Sequence, residues 1–231
     1  MDIIWNILLD IYSMVLELGA VMAQLAESFL VTAQIFVLTL VFSMPLGLVV
    51  AFGRMSQNRI IRAIVKAYIS VMRGTPLMLQ ILVVYFGPFY VFGIRMGNGF
   101  RFPAVIIAFA INYAAYFAEI YRAGIESMPV GQYEAAQILG YNKVQTFFKI
   151  ILPQVFKRVL PPVTNETITL VKDTSLAFTI SVAEMFTKAK QIAAAEASIL
   201  PLMAAGVFYY IFNLVVAWVM ERLEKKFSYY R

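Results

Sequence analysis

The stretch Glu134-Ala-Ala-Gln-Ile-Leu-Gly140-Tyr-Asn-Lys-Val-Gln-Thr-Phe-Phe-Lys-Ile-Ile-Leu-Pro153 puts polar and charged residues between two long apolar segments. It starts with helix formers at Glu134, Ala135 and Ala136 and breaks at Gly140. A second start follows at Asn142, a good N-cap, and the pattern runs on to Pro153. A short helix, a glycine turn and a second helix make a knob. A polar knob on an apolar chain has something to dock into, although an amphipathic connecting loop would share part of this pattern.

The surrounding chain is apolar enough to be a membrane protein. Of 231 residues, 61% are hydrophobic, against about 45–50% in a soluble domain. The mean hydropathy is +0.78. The expected fold is an all-α integral membrane protein. There is no Cys, so no disulfide can form, and no His, which removes imidazole bases and the commonest metal ligand. The net charge of +6 does not point to nucleic acid, because the basic residues flank apolar spans instead of forming a face. No Lys or Arg precedes Arg54, so the start lacks the basic region of a signal peptide.

Apolar runs near the ~20 residues needed to cross a bilayer lie at about 29–52, 67–92, 103–121, 154–181 and 200–220. This predicts five transmembrane helices within a membrane domain at 28–222, with a polar loop at 126–150 and a tail at 223–231. Residues 1–27 carry Asp2, Asp10 and Glu17 and read as an interfacial segment, with a sixth span as the alternative. Lys and Arg set the orientation. Thirteen lie in the connections 54–66 and 122–158 and at the C-terminus; four lie at 93–101 and 184–199. The N-terminus is therefore expected outside, and the C-terminus and knob in the cytosol.

No G-x-x-x-x-G-K-[ST] or G-x-G-x-x-G occurs, so neither phosphate-cradling loop is present. If ATP drives the protein, a partner supplies the site. The carboxylates are dispersed, which argues against an enzyme. No filter-like ring or glycine-rich loop suggests a channel, and five spans do not divide into the paired repeats of an ion-coupled carrier.

Glu166 stands out among the polar residues inside the apolar spans. Thirteen residues beyond Pro153, it lies ~20 Å deeper if the segment is helical. Pro161-Pro162 just before it predicts a broken or kinked helix. Asn165, Glu166, Thr169, Lys172 and Asp173 recur at helical spacing as one polar stripe. A charge at depth faces water or a partner, so a pathway lining of Asn165, Glu166, Thr169 and Asp173 is expected; an ion pair of Glu166 with Lys172 or Arg73 is the alternative. The cluster Lys172 to Ser175 reads as an outer gate, a subunit contact or plain packing. Glu119, Arg122 and Glu126 read as an ion-pair ladder on one helix face. Arg73 reads as part of a helix start in the cytosolic headgroup region, and Asn112, Tyr113 and Tyr116 as packing or a small-molecule route.

The knob resembles the signature of ABC importer permeases: Glu134-Ala135-Ala136, three residues, Gly140, nine residues, Ile150, one residue, Leu152-Pro153, without departure. Arg73-Gly-Thr-Pro-Leu77, Ala118-Glu-Ile-Tyr-Arg122, Gly131-Gln132 and Lys172-Asp-Thr-Ser-Leu176 resemble motifs of the polar amino acid subfamily. The likeness covers residues about 30 to 220. It implies a bacterial inner-membrane, multi-pass permease working with a second permease (a copy or a relative), two ATPases and an external substrate-binding protein. It also implies that the knob is the coupling helix on the ATPase, through Glu134, Ala135, Ala136 and Gly140, and that ATP and Mg bind the partner, this chain holding no cofactor or metal. The acidic residue after Asn165 is similar to that of basic amino acid carriers, whereas Leu176 to Ile180 is similar to the cystine carriers. Lysine, arginine or histidine is one expected cargo; cystine or glutamine remains open.

Overall fold

A computed structural model describes the backbone of residues 2–227, the side chain of Tyr12 and those from residue 16 onward. Every regular element among the described residues is helical. Helix α1, Asp2–Arg54, has 53 residues and is therefore ~80 Å long, more than twice the ~30 Å apolar core of a bilayer. It is unbroken at residue 27, where the interfacial segment was expected to end; no proline lies before Pro45, so nothing local stops it.

Helix α2, Arg59–Gly74, starts at Asn58, whose side chain accepts from the amides of Ile60 and Ile61. It ends at extended Thr75, and α3, Leu77–Phe92, begins after Pro76. The two helices are bent by 110°. The run 67–92, expected as one helix, is thus a broken pair, because the residue before a proline is pushed out of the helical region. The freed backbone groups are satisfied. Gln80 Nε2 donates to the carbonyls of Met72 and Thr75, and Asn112 Nδ2 donates to Met72 O and Gln80 Oε1, both at 3.0 Å. Such satisfaction is what lets irregular backbone exist inside a membrane.

Helix α4, Arg101–Glu126, is the hub. Along α1, Thr32, Thr39, Ser43, Gly47 and Ala51 are buried on one stripe. Small residues at this spacing let two helix backbones close up. A Cβ on Gly47 would sit 2.8 Å from Phe117 Cβ and 3.1 Å from Ala114 O, so α1 and α4 meet almost backbone to backbone.

Helix α5, Val130–Ile138, and helix α6, Lys143–Gln145, form the knob. α6 continues as a π-helical turn, Thr146–Ile151, into α7, Leu152–Asp173, and a 3-10 turn, Thr174–Ile180. Of the break or kink expected at Pro161-Pro162, the break does not occur: α7 stays helical through both prolines. Its buried face, including Val155, Val159 and Val163, is held in the core, and that packing overrides the local rule. Helix α8, Met185–Glu196, and α9, Leu200–Phe227, complete the chain. Among the described residues, Leu16–Arg54, Asn98–Glu126 and Leu200–Phe227 are each long and apolar enough to span a membrane, and the bent α2–α3 pair passes the same test as one span. α7 does not, since its polar stripe dilutes it.

Candidate functional site

The knob owes its shape to two local signals. Gly140 has φ +80, a left-handed conformation that favours glycine, and it closes α5 as Tyr141 N donates to Ala136 O at 3.0 Å. Asn142 then opens α6 with a capping box, its side chain and that of Gln145 each accepting from the other's backbone amide. Ala136 is buried, whereas Glu134 and Ala135 are exposed. So are Ile138 (87%), Leu139, Val144 and Phe148. An apolar tip rimmed by polar residues marks a protein contact.

The polar stripe of α7 faces out of its packed side. Asn165 and Thr169 are exposed, Glu166 and Asp173 half-buried. Thr169 Oγ1 donates to Asn165 O at 2.9 Å. Glu166 looks into an open cleft of about 500 Å³ shared with Arg73, Tyr116, Glu119, Arg122 and Arg158. Arg73 stacks over the Tyr116 ring, 5.2 Å from its centroid. Among the described residues Glu166 makes no ion pair within 4.0 Å, with Lys172 or with Arg73. Asp173, by contrast, accepts from Tyr113 Oη at 2.7 Å. The cleft therefore gathers Glu166 with groups from α2 and α4, and leaves Asp173 outside it.

The ion-pair ladder is present. Arg122 Nη2 lies 2.6 Å from Glu119 Oε2, its Nη1 bonds Glu126, and Arg54 Nε lies 3.6 Å from Glu119 Oε1. Sequence reasoning placed Arg73 at the headgroups and Tyr113 in packing. The nearby Pro76 was the only signal that the chain turns at Arg73 and brings it to the cleft.

Glu184, in the connection before α8, was not singled out by its sequence. It is fully buried and caps α8 by accepting from Phe186 N and Thr187 N, while Thr187 Oγ1 and Tyr209 Oη also donate to it. Burial pushes its carboxyl above the ordinary carboxylate range, against those hydrogen bonds.

Comparison with known proteins fits this arrangement. The model of the family "Binding-protein-dependent transport system inner membrane component" matches residues 43–229. The L-cystine transport system permease protein TcyB of Bacillus subtilis (strain 168) is 37% identical over 201 residues, covering 86% of this chain and 84% of that one. The arginine transport system permease protein ArtQ of the same organism is 36% identical over 201 residues, covering 87% and 90%. A crystal structure of an amino acid ABC transporter with histidines superposes with a TM-score of 0.83 at 30% identity, over 91% of this chain and 97% of that one. The MetNI methionine ABC transporter, at 17% identity and a TM-score of 0.65, shares the fold. The chain belongs to the family of binding-protein-dependent transport system inner membrane components: it is a permease subunit and not an enzyme.

Proposed function

We propose that this chain is the transmembrane subunit of an ATP-driven importer of polar L-amino acids in a bacterial inner membrane. The N-terminus lies outside and the C-terminus and knob in the cytosol, as the Lys and Arg distribution requires. Residues 2–27 prolong α1 beyond the bilayer core, residues 28–222 form the permease, and residues 223–231, of which 228–231 lie outside the described residues, form a cytosolic tail. Two ATPase subunits, a second permease and an external binding protein complete the machine, with ATP and Mg on the ATPases. Residues 134–153 couple this chain to the ATPase through the exposed tip of the knob. The stripe Asn165, Glu166, Thr169 and Asp173 lines the route.

One observation carries the reading: Glu166 is half-buried in an open cleft with no ion-pair partner within 4.0 Å among the described residues. A carboxylate held so draws an ammonium or guanidinium group of the cargo, in competition with the Arg73, Arg122 and Arg158 guanidiniums that share the cleft. Lysine, arginine and histidine fit it best. Cystine is the second reading, supported by the 37% identity to the cystine permease, and its ammonium groups also suit Glu166. The test is uptake by the complete complex in liposomes. Glu166→Gln should slow cationic uptake by about tenfold or more and leave basal ATP hydrolysis intact. Unchanged uptake of cationic and neutral amino acids alike would make Glu166 a structural residue.

A further inference from the structure

The knob is tied to α7 by more than the chain itself. Gln132 on α5 and Gln154 on α7 form a reciprocal amide pair: each Nε2 donates to the other's Oε1, both at 2.9 Å. This arrangement uses both amides in their complementary sense. The second donor of Gln154 goes to Ile150 O at 2.7 Å. Ile150 lies in the π-helical turn Thr146–Ile151, which ends two residues before Pro153, a residue with no N–H to give the ladder. The irregular stretch of backbone between knob and α7 is therefore spanned by a side-chain brace.

A second brace lies nearer the bilayer. Arg158 Nη1 donates to Ser127 O at 2.8 Å and Ser127 Oγ at 3.0 Å. Beyond it, Gly124 packs so closely on Val159 that no Cβ fits. The pairs 124–159, 127–158 and 132–154 run in antiparallel register along α7. α7 then continues to Glu166.

We infer that the Gln132–Gln154 amide pair is the strut that makes the knob and α7 move as one body. It converts displacement of the docked ATPase into displacement of the helix carrying Glu166. Without it, the π-helical turn absorbs the motion. Both glutamines are positioning residues, acting through α7. This inference rests on the reading of the knob as the ATPase dock.

The test uses the full complex with its ATPase and binding protein in liposomes. It reads ATPase bound per permease, ATP hydrolysis rate, and substrate moved per ATP. Gln132→Leu and Gln154→Leu should each leave the ATPase bound and lower substrate moved per ATP by about fivefold or more, the effect of losing a hydrogen-bonded pair. The double variant should lose no more than Gln154→Leu alone, since Gln132→Leu removes only the shared amide pair, which Gln154→Leu removes together with the bond to Ile150 O. An unchanged ratio in the single variants, or losses that multiply in the double, overturns the strut. Ile138→Asp, at the exposed tip, separates the two readings. If it releases the ATPase while Gln132→Leu leaves the ratio unchanged, only the strut falls. If the ATPase stays bound and active in Ile138→Asp, the docking reading itself falls.

Should the leucine variants fail to insert, the chain's lack of cysteine permits a second measurement. With Gln132→Cys and Gln154→Cys together, a short reducible methanethiosulfonate crosslink should hold substrate moved per ATP near normal, and reduction should lower it. Transport stopped by the crosslink would show that the two positions must part, and would overturn the strut.

Discussion

Tyr113 Oη donates to Asp173 over 2.7 Å, joining the middle of α4 to the last residue of α7. Tyr113 is itself 2% exposed, so the bond forms where water is scarce. It fixes the C-terminal end of α7, as the glutamine pair and Arg158 fix the N-terminal end.

Tyr113→Phe should therefore leave Asp173 short of a donor and cost about 1–3 kcal/mol. Asp173→Asn keeps an acceptor and should cost less. Thermal unfolding of the purified complex in detergent gives the ranking; equal losses would show that the bond is incidental.

Gly124→Ala should destabilise by about 1–3 kcal/mol, because the added methyl meets Val159 in a site with no room. Val159→Ala on top should recover most of the loss, giving a favourable coupling between the two sites. A double variant as unstable as the sum of the single ones would mean that the crossing of α4 and α7 relaxes elsewhere.

Glu184→Ala should be more severe, since Phe186 N, Thr187 N, Thr187 Oγ1 and Tyr209 Oη lose their shared acceptor. The native residue also predicts a pH slope. Its carboxyl lies above the ordinary range, so the folded chain holds this proton more tightly than the unfolded one. Its contribution is fully present below the ordinary carboxylate range and is lost as pH rises through the raised value. Glu184→Gln should flatten that part of the Tm-against-pH curve, and an unaltered slope would assign it to other groups.

Gly140→Pro should disconnect ATP hydrolysis from substrate while the chain still inserts, because proline cannot take φ +80. Gly140→Ala should do so more mildly, at about 1 kcal/mol of strain. Normal substrate-stimulated hydrolysis in the proline variant would count against the knob as the coupling element.

The knob was legible because its determinants are local: Gly140 and Asn142 stop and start helices by their own chemistry. The polar stripe of α7 was legible as a spacing, and the structure leaves Asn165 and Thr169 exposed. The bend at Thr75 was hidden inside a continuous apolar run, and what sustains it, Asn112 bonded to Met72, is forty residues distant. At Pro161-Pro162, where a break or a kink was expected, packing supplied by other helices keeps the chain helical and excludes the break. Arg73 and Glu166 share a cleft only because α2, α4 and α7 meet there, a relationship that no periodicity encodes.

The close seam at Gly47 also has a consequence in time. Its partners Ala114, Phe117 and Ala118 are translated some seventy residues later, about 3–14 s at roughly 5–20 residues per second. During that interval α1 sits in the bilayer with the seam open and with the hydroxyls of Thr39 and Ser43, which find no hydrogen-bond partner among the described residues of the folded chain, turned toward whatever is beside them. Closing the seam therefore depends on α4 arriving. A nascent chain halted between α3 and α4 carries a bare small-residue groove in the membrane, ready to accept the wrong helix.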